Sequence, residues 1–216
     1  VGLDLSIRGD VSLSISRGLG DSDVVASASV VDNAGGYLIA PMLELTPDQV
    51  FRVNSVALAH QFYDLPTVVS GVVRAVEPPG AYTIEFDDNG RVSQMLVTAV
   101  SEVRIAAPAA GATVSKAGFT VTWTPSYDAD VLIEISVSGE KVDLDSSTGT
   151  SPSCAYFQAL PDNGSSSVNA NALADLLPGT FDVTIRRYRE VPQTLGFAEG
   201  LITVETSHHI AILLTD

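Results

Sequence analysis

Pro79-Gly80-Ala81-Tyr82-Thr83-Ile84-Glu85-Phe86 and Pro178-Gly179-Thr180-Phe181-Asp182-Val183-Thr184-Ile185 are two copies of one pattern, the second beginning 99 residues after the first. Each opens on Pro-Gly, then sets an aromatic and two apolar residues at alternate positions. Proline fixes φ near −65° and glycine accepts positive φ, so the dipeptide suits a tight corner. A strand leaving that corner turns alternate side chains to one face. Tyr82, Ile84 and Phe86 share one face, as do Phe181, Val183 and Ile185. A further apolar run follows each copy: Met95 to Val100 after Asp87-Asp88-Asn89-Gly90, and Leu201 to Val204 after a longer connection from Arg187 to Gly200. The chain beginnings agree as well, Leu3 and Leu5 matching Val103 and Ile105. The repeat predicts an all-β chain of two tandem sandwiches, residues 1–101 and 102–216.

Composition fits that reading. Each half, at about 100 residues, is large enough to bury a core without a metal or disulfide. Val, Ile and Thr favour strands. The formal charge is −15, with 26 acidic against 11 basic residues. Such a field repels phosphate backbones and anionic head groups, which argues against nucleic acid as a partner. No run is long and apolar enough to cross a bilayer as a helix. Together with tandem sandwiches and scarce lysine, this predicts an extracytoplasmic chain at the cell surface, in the periplasm or secreted. A leader or lipid anchor upstream of Val1 is compatible with it.

Residues 3–15 alternate apolar and polar, with Gly9 as the interruption and the expected site of a bend. Val24–Val31, Val50–Leu58, Val68–Val76 and Val131–Val137 read as strands, as does the stretch around Phe119, Val121 and Trp123. Ala172–Leu177 reads as a helical turn, and Cys154 as a small apolar side chain packed on a strand. A joint near Ser101–Glu102 leaves almost no linker, which predicts a semi-rigid element.

Leu176-Leu177-Pro178-Gly179-Thr180-Phe181, with the Trp123 strand, resembles a fibronectin type III or related immunoglobulin-like module. Phe181 departs from that pattern because it has no hydroxyl for a tyrosine corner; Tyr82 has one. Leu45, Pro47-Asp48, Val50, Val53-Asn54 and Leu58 look like sandwich modules of bacterial secreted proteins and lipoproteins. The resemblance implies fold and surface location, not activity.

Candidate chemistry is sparse. Asp143 with Asp145, Asp128 with Asp130, and Asp87 within Glu85-Asp87-Asn89-Gly90 form alternating oxygen clusters that calcium could use; no other cofactor is expected. The last cluster lacks an acid at its twelfth position, Leu96. Trp123 and Tyr127 are the candidate glycan-stacking rings, with Tyr156 and Phe157 beside them. Arg8-Gly9-Asp10 lies inside a predicted strand rather than at a loop tip. Ser138-Gly139-Glu140-Lys141 matches Ser-x-x-Lys without its companion motifs. The expectation is a non-enzymatic spacer, adhesin segment or assembly subunit, with protein partners or self-association through its terminal strands, Leu3–Ile15 and Ile210–Leu214. A glycan- or calcium-binding module is the alternative.

Overall fold

The computed structural model describes residues 7–31, 45–60, 68–126, 128–142 and 150–216. They form two compact units: Val1–Val100 with Arg189–Glu205, and Ser101–Tyr188 with Thr206–Asp216. This differs from the sequence expectation at two places: Arg189–Glu205 groups with the first unit, and Ser101 with the second.

The first unit contains β1 (Ile7–Gly18), β2 (Asp23–Val31), β3 (Gln49–Val53), β4 (Val56–Ala57), β5 (Ala59–His60), β6 (Val68–Arg74), β7 (Ala81–Asp88) and β8 (Arg91–Thr98). One sheet runs β1-β2-β6-β5, and the other runs β4-β3-β7-β8. The ladder from β1 to β2 is unshifted from Asp10 to Ser16, and the strand continues through Gly9 without the expected break. Val50–Leu58 is not one strand. Asn54 and Ser55 take positive φ, 49° and 66°, and turn the chain from β3 into β4. Asn54 pins this turn, its Oδ1 accepting from the Thr83 amide at 2.9 Å. The inward face holds Leu13, Ile15, Phe51, Val53, Ile84 and Phe86. Phe197 belongs to this core, with ring centroids 4.7 Å from Phe86 and 5.7 Å from Phe51. That contact is the physical reason the late segment belongs with the first hundred residues.

The second unit contains β9 (Ile105–Ala107), β10 (Thr113–Ser115), β11 (Gly118–Trp123), β12 (Leu132–Val142), β13 (Thr150–Pro161), β14 (Ser165–Asn169) and α1 (Ala170–Leu173). It also holds most of β15 (Gly179–Pro192) and the later part of β16 (Phe197–Thr215). Its sheets run β14-β11-β9 and β13-β12-β15-β16, with β10 parallel to the end of β16. The long connection expected between Arg187 and Gly200 is therefore largely strand. The helical turn falls slightly earlier than expected, where Asn169 caps α1 by accepting from the Ala172 amide. The interior gathers Val121, Trp123, Ile133, Ile135, Val168, Phe181, Val183, Ile185 and Ile212.

The two units share one strand order. In each, the opening strand, the strand that precedes the other sheet and the strand that precedes the Pro-Gly corner (β1-β2-β6 and β9-β11-β14) lie in that order in one sheet, with β5 beside β6 in the first unit only. The other sheet runs β4-β3-β7-β8 in the first unit and β13-β12-β15-β16 in the second. Each Pro-Gly corner opens the strand that lies third in that sheet, β7 or β15. This is an all-β, immunoglobulin-like and fibronectin III-like architecture.

Candidate functional site

The most organised polar cluster belongs to the second unit. Phe181, Val183 and Ile185 point inward along β15, and the same parity carries Arg187 into the interior, 2% exposed. A buried guanidinium needs compensation. Its Nη1 donates to the Ser101 hydroxyl at 2.9 Å and the Glu102 carbonyl at 2.7 Å, and its Nη2 to the Thr124 carbonyl. The Asp162 carboxylate lies 2.9 Å from Nε, an ion pair rather than a directed hydrogen bond, with both side chains almost fully enclosed. Asp162 also accepts from the Trp123 indole at 2.6 Å and the Ser126 amide at 2.9 Å. Burial alone would raise its pKa. The Ser126 amide, Trp123 indole, Ser126 hydroxyl and Arg187 charge outweigh that and hold the carboxyl below 3.8. Thr206 completes the cluster through the Ser101 carbonyl at 3.0 Å. The network ties the chain at Ser101–Glu102 to three strands. It is closed to solvent, so its chemistry is structural.

Arg187 was not among the residues the sequence singled out. Its signal is parity, an arginine occupying the next inward position after three apolar ones.

The expected ligand residues are dispersed. Asp87 spends one oxygen on the Gly90 amide at 2.8 Å and faces Arg52 with the other at 3.3 Å. Asp128 and Asp130 are exposed, and the Asp130 amide donates to the Asp128 side chain at 3.1 Å in a turn before β12. Asp143, Asp145 and Tyr127 lie outside the described residues. Among the described residues no three His, Cys, Asp or Glu side chains converge as a metal site. Trp123 offers no ring face to a sugar, being 4% exposed with its N–H on Asp162. Cys154 is exposed on β13 rather than packed inside, its outward parity setting it on the solvent face. A groove of about 600 Å³ in the first unit is lined by Asp10, Ser12, Gln193 and Glu199 among others, without His, Cys or Lys.

His208 and His209 are neighbours on β16, so their rings leave opposite faces. The His208 Nδ1 accepts from the Ile105 amide at 3.1 Å. Burial, then the positive charges of Arg104 and His209, lower its pKa from 6.5.

The expected self-pairing strands are not edges. β1 lies between β2 and β16, and the Ile210–Leu214 end of β16 is paired by β10. Val11, Leu13 and Ile15 of β1 and Ile210, Ile212 and Leu214 of β16 are buried in the cores, which removes them from solvent, while residues 3–6 lie outside the described residues. The edges among the described residues are others. β4 and β5 have two residues each, β9 and β10 three and β14 five. β13 is long, but a register shift opposite Val137 and Ser138 interrupts it and Pro152 and Pro161 lie within it. β8 has eight residues, an unshifted ladder and no proline.

No protein-family model matches the chain, and no curated protein matches it. Among solved structures it is similar to the FN1–FN3 domains of chicken CNTN1, with 10% identity, a TM-score of 0.27, and coverage of 93% of this chain and 69% of that one. Domains 4 and 5 of the S-layer protein SbsC give 17% identity and 0.21, covering 85% and 81%. Trypsin-activated alpha-2-macroglobulin from Escherichia coli gives 11% and 0.23, covering 97% of this chain and 16% of that one. The strand order described above, not these scores, carries the fold assignment.

Proposed function

We propose that the chain is a non-catalytic structural or interaction protein of the cell envelope or extracellular space, its two units acting as tandem immunoglobulin-like domains. One observation carries the reading. The best-organised polar groups, Arg187, Asp162 and Trp123, are enclosed and bind the fold together, while apolar side chains are left exposed on strands. An enzyme arranges its titratable groups the other way, around an accessible cleft. Antibody raised against the folded chain is expected to label intact producing cells or their medium. Labelling that requires lysis would reject the extracytoplasmic reading.

Phe157, 64% exposed on β13, supports glycan binding as a second reading, because an exposed ring is what a sugar stacks upon. Glycan-array binding abolished by Phe157→Ser in a folded protein is its expected result. An array showing no binding removes it.

A further inference from the structure

We propose that β8 is a self-association edge, where a second copy of the chain pairs antiparallel with the twofold axis at Gln94. This deepens the reading of the chain as an interaction protein and rests on it.

The hairpin turn fixes which backbone groups are free. Asn89 and Gly90 have φ of 54° and 83°, the signature of a two-residue type I′ loop closed by Asp88 and Arg91. The closing pair of such a loop is hydrogen-bonded, and bonded and non-bonded pairs then alternate. Arg91, Ser93, Met95 and Val97 therefore spend their amides and carbonyls on β7. Val92, Gln94 and Leu96 direct theirs off the edge. The Ala99 amide, bonded to the Gly80 carbonyl at 2.9 Å, keeps the same parity. Side chains follow it too: Val97 is buried, whereas Val92 is 59% and Leu96 67% exposed.

Native sheets protect edges with shortness, proline, bulges or charge. Each other edge described above is short or interrupted, while β8 carries none of these devices along Val92–Thr98. Its sequence is also self-complementary. With Gln94 opposite Gln94 of the partner subunit, Val92 meets Leu96 of the partner subunit, and the symmetry makes that contact twice. No other register sets those two apolar side chains against each other.

Charge selects where a like-charged copy can approach. The chain carries −15, yet the one ionisable side chain in β8 is Arg91. The acids nearest the edge on the same face, Glu85 and Asp87, lie one strand further in. Across a paired dimer, Glu85 and its equivalent would be separated by three strand spacings, about 14 Å. That exceeds the Debye length of about 8 Å at physiological salt. Pairing should therefore tighten as added salt raises the solution from low ionic strength, where the acidic copies repel across this distance, into that screened regime. A basic strand from another protein would show the reverse. A ladder of this length buries less than a standard stable interface, so the dimer is a weak one that forms at high local concentration.

Sedimentation equilibrium of the whole chain, from about 10 μM to about 1 mM, spans that regime. The expected result is a weight-average mass rising toward the dimer, with tighter association in higher NaCl. Leu96→Lys, at an exposed position, should return the monomer with an unchanged melting temperature. Gln94→Pro removes an amide that β7 does not use, so it should do the same through the backbone alone. If that proline unfolds the protein, Leu96→Lys still decides. A monomer at the highest concentration, association that weakens with salt, or a dimer surviving Leu96→Lys would each overturn the proposal. None of these would touch surface labelling of cells, which tests the underlying reading separately.

Discussion

The two Pro-Gly corners sit at the same place in the strand order and are fastened by different chemistry. After the first, Tyr82 turns its ring into the core and its hydroxyl accepts from the Val76 amide at 3.1 Å. Burial raises the pKa of this phenol, against the lowering effect of that hydrogen bond, so it stays a neutral acceptor. After the second, Phe181 occupies the same offset from glycine without a hydroxyl, and its ring covers Gly139 on β12. The glycines differ as well. A Cβ on Gly80 would strike Val76 and the Glu77 carbonyl, whereas Gly179 has open space and a φ of +155°. One corner is held by a neutral hydrogen bond. The other has apolar cover, and its unit places its polar fastening elsewhere, at Arg187 and Asp162. A fold position constrains where a side chain points more tightly than what holds it there.

The charged fastening is the more vulnerable. Asp162→Asn leaves a buried guanidinium without its counter-charge, and a loss of about 3–5 kcal/mol is expected in denaturant unfolding. Replacing both partners, with Arg187→Met added, should recover part of that loss, since two apolar or neutral groups need no compensation. A double variant no better than the single one would show that the bonds to Ser101, Glu102 and Thr124 matter more than the ion pair.

Gly139→Ala tests the apolar cover. The added methyl would overlap the Phe181 ring, which is 2% exposed and has little room to withdraw. Overpacking of this kind costs about 1–3 kcal/mol. A larger loss would mean that β12 itself shifts. Tyr82→Phe converts the first corner to the chemistry of the second. It should cost about 1 kcal/mol, because Val76 is half-buried and water can replace the lost acceptor.

These contrasts also show what the sequence could disclose. The alternation after each corner was legible because period two is a local property, and so was the Asn89-Gly90 turn. The Asn54-Ser55 turn was hidden, since serine seldom takes positive φ and the apolar run on either side reads as one strand. The allegiance of Arg189–Glu205 was equally invisible. Nothing local distinguishes a Phe197 packed on Phe51 and Phe86 from one packed on its sequence neighbours. Among the candidate site residues, sequence showed where acids cluster but not that Asp87 is committed to Gly90 and Arg52. Edge status is the least local property of all, because it depends on which strands lie beside β1, β16 and β8.

The smallest expected effect concerns pH, and it separates two titratable groups of the second unit. His208 is held below its ordinary value of 6.5, burial being the main cause. The unfolded chain therefore takes up a proton near pH 6.5 that the folded chain still refuses. Stability falls as pH drops through that value and levels off once pH is beneath the folded value. Asp162 behaves in the same direction but lower: its contribution is complete above 3.8 and is lost as pH falls through its depressed folded value. Unfolding followed from pH 8 to pH 3 should thus show a shallow step near neutrality and a second decline in acid. His208→Gln can still accept from the Ile105 amide while removing the titration. It should flatten the first step and leave the second, whereas Asp162→Asn should remove the second and leave the first. A single variant that erased both would mean that one group, not two, sets the acid response.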